Sequence, residues 1–125
     1  MILDTNAVSA LLSGDRAVGE VLEPEDRHHL PAVVIGEYRY GLLRSTNRRR
    51  LEAIFDLLLR ESFALSVDPE TARAYARIRD QLRRAGRPIP ENDVWIAALA
   101  VQHDLPVVSR DVHFDAIPGV RRIGW

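Results

Sequence analysis

The sequence predicts an α/β fold, a three-layer sandwich in outline: a short parallel sheet flanked by helices on both faces. Two observations carry this expectation. Short aliphatic runs alternate along the chain with stretches of helical spacing, the order expected of βαβ units. Asp4 and Asp111 also follow two of these runs at their carboxyl ends, where open α/β sheets form a ligand crevice. No internal repeat, low-complexity segment or linker interrupts the chain, and residues 1–125 suit one domain with its own core.

Taken in order, Met1-Ile2-Leu3 reads as a buried strand. Asp4-Thr5-Asn6 supplies capping residues for a helix through Leu12, closed by Ser13-Gly14-Asp15. Arg16 to Leu22 suits a short helix ended by Pro24. Arg27 to Leu30 reads as a strand, followed by a helix from about Pro31 to Arg44, since proline is tolerated in a first turn. Leu51, Ile54, Phe55 and Leu58 give Asn47 to Leu59 a helical period. Phe63 to Val67 is the next strand, and Asp68-Pro69-Glu70 opens a helix ending near Gly86. Asn92 and Asp93 begin an apolar helix reaching His103, Val107 to Ser109 is a strand, and Arg121 to Ile123 a last one.

Composition narrows the chemistry. There is no cysteine, which excludes disulfides, thiolate nucleophiles and zinc-thiolate sites. All 17 basic residues are arginine, so no Walker lysine, Schiff-base lysine or lysine general base exists. Arginine binds phosphate bidentately and stacks on bases, which suits a nucleic-acid partner, although GC-rich coding would also yield it. No apolar run approaches the roughly 18 residues of a membrane span, and Asp4 is the first charge, unlike a signal peptide. A cytoplasmic protein is expected.

Asp4, Glu37, Asp93 and Asp111 each adjoin an apolar stretch. Buried carboxylates without a counter-charge are costly. Two of them about 4 Å apart repel by roughly 4 kcal/mol at an effective dielectric of about 20, which a hard divalent cation would reverse. Each has a structural alternative. Asp4 could be an N-cap, Asn92 or Asp93 could cap the helix they open, and Asp111 could be a turn residue. Glu37 falls on the stripe of Val34, Tyr38, Gly41 and Leu42 that should face the core, where a salt bridge would otherwise have to hold it. His113 has the spacing of a packing position, Trp95, Tyr38 and Tyr40 suit core or interface, and a histidine zinc site is disfavoured.

Ile2-Leu3-Asp4-Thr5-Asn6, Val33 to Tyr38, Asn92 to Ala98 and Val108 to Phe114 together resemble the ordered motifs of the PIN domain, in particular VapC-type toxins. The likeness spans nearly the whole chain and implies a Mg²⁺- or Mn²⁺-dependent endoribonuclease. It also implies an RNA substrate, a homodimer and a cognate VapB-like antitoxin. By position it places the acidic site on Asp4, Glu37, Asp93 and Asp111, with Asn6 and Ser109 at nearby polar positions. An RNA backbone would need a positive rim. Arg44, Arg48, Arg49 and Arg50 form one candidate cluster and Arg83, Arg84 and Arg87 another, though both also suit solvated helix ends. A receiver-type phosphoryl-transfer domain would need a lysine that this chain lacks. A catalytically inactive PIN-like RNA- or protein-binding scaffold is the alternative, and loss of an acid would mark it.

Overall fold

The computed structural model describes residues 1–22 and 27–125, so the stop expected at Pro24 lies outside the described residues. Five short strands, β1 (Ile2–Leu3), β2 (His29–Pro31), β3 (Phe63–Leu65), β4 (Val107–Val108) and β5 (Arg122–Ile123), form one sheet in the order β3-β2-β1-β4-β5. All four pairings are parallel, with Ile2 opposite His29 on one side and Val107 on the other. Ile2, Leu3, Val107 and Val108 are fully buried, as strands covered on both faces require.

The helices are α1 (Thr5–Leu12), α2 (Arg16–Val21), α3 (Ala32–Leu42), α4 (Arg48–Arg60), α5 (Pro69–Arg84) and α6 (Glu91–His103). A short 3₁₀ helix, Val112–Ala116, links β4 to β5. From β1 the chain moves outward through β2 to β3, then crosses back to β4 and β5. Right-handed crossovers therefore put α1 to α4 on one face and α5 with α6 on the other. The strand order reverses between β1 and β4, and this is the topological switch point.

Local chemistry sets most boundaries. Asp68 and Thr71 form a reciprocal capping box with Pro69 in the first turn, and this starts α5 where the sequence places it. Ala74, Ile78 and Leu82 recur every fourth residue and bury one face of α5 against α6, whose Val94 and Ile96 to Ala100 are buried. Two starts differ from expectation. Pro31 closes β2 and α3 begins at Ala32, because the Pro31 backbone is still extended (ψ 143°). Similarly, α6 begins at Glu91 after Pro90, so neither Asn92 nor Asp93 is a cap. The strand expected to reach Val67 stops at Leu65, since its partner β2 offers three residues.

Candidate active site

Asp4 leaves the carboxyl end of β1 at the switch point and is only 2% exposed. It does cap α1, accepting the Ala7 amide at 2.7 Å, but a cap needs only one carboxylate oxygen and no burial. Burial is the main cause that pushes its carboxyl up to about 6; bonds from Ser109 and Ala7 oppose this, and the charges of Asp111 and Asp93 add to it. Ser109, fully buried just beyond β4, also accepts the Asp111 amide at 2.9 Å and so ties the two strand ends together. Asp111 accepts from Asn6 Nδ2 at 3.1 Å.

Asp93 arrives from the other side of the sheet, in the first turn of α6, where the helix dipole favours an anion. Burial again raises its pKa, opposed by His113, whose Nε2 lies 2.9 Å from Asp93 Oδ2. Glu37 corrects an expectation. It is exposed at the lip of the cleft rather than facing the core, and hydrogen bonds from Thr5 Oγ1 (3.0 Å) and Asn92 Nδ2 (3.3 Å) hold it. The α3 stripe that turns inward is Val34, Tyr38 and Leu42.

Asp4, Glu37, Asp93 and Asp111 thus line one cleft of about 320 Å³ together with Thr5 and Asn6. Among the described residues no arginine hydrogen-bonds or ion-pairs with any of these four acids. Four carboxylates share this crevice, with the His113 imidazole against Asp93 and the charge of Arg122 acting on Asp111 without a direct contact. Hard oxygen donors of this kind fit a divalent cation. The fit extends to a mixed group: one ligand atom each from Asp93, Asp111 and His113 lie within 4.8 Å of one another.

A model of the PIN domain matches residues 1–120. The chain belongs to the PIN domain family. Ribonuclease VapC5 of Mycobacterium tuberculosis is 36% identical over 129 residues, covering 98% of this chain and 90% of that protein. Toxin FitB of Neisseria gonorrhoeae is 33% identical over 122 residues, covering 89% and 87% respectively. The crystal structure of VapBC-5, a member of the VapBC family of toxin-antitoxin systems from Mycobacterium tuberculosis, superimposes with a TM-score of 0.79 at 34% identity. That match covers 99% of this chain and 97% of that one.

Around the PIN cleft the expected arginines separate. Arg48, Arg49 and Arg50 occupy the first turn of α4, where the helix dipole disfavours cations. Of these, Arg48 pairs with Glu52 at 2.8 Å. Arg44 lies over the ring of Tyr40, which is 60% exposed, so of the two settings expected for it the core is ruled out. Arg83 and Arg84 both bind Asp80 at the favourable end of α5. Arg87 stands apart from them and lines a groove of about 630 Å³ beside Asp111. Sequence reasoning missed Arg110 in the same groove, Thr5 and Asn92 on Glu37, and the contact of His113 with Asp93. For His113 the packing expectation fails because the 3₁₀ turn buries Phe114 and leaves its neighbour facing α6. No periodic signal marks such a short turn.

Among the described residues no helix is long and apolar enough to cross a membrane.

Proposed function

We propose that residues 1–125 act as one PIN domain, a Mg²⁺- or Mn²⁺-dependent endoribonuclease that is the toxin of a type II toxin–antitoxin pair. One observation carries the reading: four carboxylates from β1, α3, α6 and the β4 end share a cleft with no arginine bound to them. Asp4, Asp93, Glu37 and Asp111 would hold the cation. Once bound, it supplies charge for the phosphodiester oxygens and makes water a better nucleophile.

The remaining work falls to the chain. Ser109 orients Asp4 and the Asp111 backbone, while Asn6 holds the Asp111 carboxylate. Both hydrogen bonds to Glu37 fall on Oε2, leaving Oε1 at the open lip, where it would reach the cation directly or through a water that it would help deprotonate. No side chain needs to become a covalent nucleophile, in keeping with a chain without cysteine. A cytoplasmic setting, a homodimer and a cognate VapB-like antitoxin belong to the same reading. The antitoxin is supported by the likeness to a member of the VapBC family of toxin-antitoxin systems.

The test is cleavage of labelled RNA by wild type and Asp93→Asn, in EDTA and with Mg²⁺ or Mn²⁺ restored, followed by sequencing of the cut ends. Cleavage should require both the cation and Asp93. A variant cutting at the wild-type rate, or a wild type whose calorimetric titration shows no carboxylate-dependent cation binding, would leave an inactive scaffold as the better account.

For the rim, reversing Arg48, Arg49 and Arg50 to glutamate should weaken RNA binding and flatten its salt dependence. Each lost phosphate contact removes about 0.7 from the slope on single strands. An unchanged slope would take α4 out of the RNA path.

A further inference from the structure

We propose that His113 is itself a ligand of the cation site through Nε2, and that this nitrogen makes the site prefer a transition-metal dication such as Mn²⁺ over Mg²⁺. The inference rests on the reading that the acids hold a cation, and it goes beyond an all-oxygen donor set.

The geometry points to this role. His113 sits two residues past Asp111 in the 3₁₀ helix, and the adjacent Phe114 is fully buried, fixing the backbone that carries both side chains. The ring tilts against Phe114 with centroids 5.1 Å apart, which limits its rotation. Nε2 thereby lies 2.9 Å from Asp93 Oδ2. Two neighbouring ligands about 2.1 Å from an octahedral ion are themselves about 3.0 Å apart, and opposite ones about 4.2 Å. The Asp93–His113 separation already has the first value, and one ligand atom each from Asp93, Asp111 and His113 lie within 4.8 Å of one another.

Ligand chemistry then sets the preference. Mg²⁺ takes oxygen donors almost entirely, keeps its waters and demands near-ideal octahedral geometry. Imidazole suits the borderline ions from Mn²⁺ onward, with affinity rising along the first-row series.

The experiment titrates the whole chain calorimetrically with MnCl₂ and, separately, MgCl₂, using wild type, His113→Ala, His113→Glu and Asp93→Asn. Pulsed EPR of the Mn²⁺-loaded wild type supplies a readout independent of catalysis. Nitrogen hyperfine coupling should be present in wild type and absent in both His113 variants. His113→Ala should lose about tenfold or more in Mn²⁺ affinity, with Mg²⁺ affinity changed by less than about threefold. His113→Glu, an oxygen donor, should shrink the Mn²⁺-to-Mg²⁺ ratio while still binding metal. Mn²⁺ bound without nitrogen coupling in the wild type, or equal losses for both ions in His113→Ala, would overturn the histidine ligand and leave the acid site standing. Unchanged Mn²⁺ binding in Asp93→Asn would overturn both.

Discussion

Replacing Asp4 with asparagine is expected to abolish RNA cleavage and yet to stabilise the cation-free protein near neutral pH. The stability gain follows from the folded carboxyl holding its proton more tightly than the unfolded one, at about 6 against 3.8. Between those values the folded state binds more protons, so stability falls as pH rises through the window. By neutral pH the charged form has cost about 3 kcal/mol. Asparagine removes that charge while its Oδ1 can still accept the Ala7 amide. Melts in EDTA from pH 4 to pH 8 should show the wild type losing stability relative to the variant as Asp4 ionises. The comparison with the variant matters because Asp115 and Asp80, held low by Arg122 and Arg83, shift stability in the opposite sense. The activity loss is about 10³-fold or more, the several kcal/mol that a correctly held cation supplies. If the variant melts below wild type at pH 7 to 8, the Asp4 charge is already compensated within the protein and the cation is not what it awaits.

The second large effect is on Phe114. Its ring is fully buried and anchors the 3₁₀ turn between Asp111 and β5. Phe114→Ala should cost about 3–5 kcal/mol, combining lost transfer energy with an unfilled cavity. Urea unfolding in EDTA measures this directly. The variant should also bind the divalent cation more weakly under conditions where it remains folded, because the backbone presenting Asp111 and His113 has lost its anchor. A cost below about 1 kcal/mol would mean that the core collapses around the gap and the turn is held by other contacts.

The extent to which the site was legible in the sequence differs residue by residue. Asp4 and Asp111 were expected beyond the carboxyl ends of two strands, and the structure has them there lining one cleft, because in a parallel sheet those ends share one edge. Asp93 was singled out for adjoining an apolar run, and its capping alternative fails because Pro90 precedes the helix and Asp93 already lies within the first turn. Glu37 was singled out as a charge on a core stripe. Its helix is rotated so that Tyr38 takes the buried position and Glu37 the lip. Ordinary helical periodicity cannot separate adjacent residues at the edge of a stripe that spans about 100°. His113 was read as a packing position and its contact with Asp93 was missed, since a five-residue 3₁₀ turn carries no usable period.

Residue types and short-range spacing by themselves determined the alternating elements, the absence of thiol and lysine chemistry, and the acids that needed explaining. These follow from local propensity, apolar periodicity and composition, which act within a few residues. Only the tertiary structure decided that Asp4, Glu37, Asp93 and Asp111 share one cleft without an arginine partner, and that His113 faces Asp93. Those facts depend on strand order, on crossovers that bring α3 and α6 from opposite faces to the reversal between β1 and β4, and on side-chain direction. Attraction and repulsion between charges depend on distance in space, and separation along the chain does not set that distance.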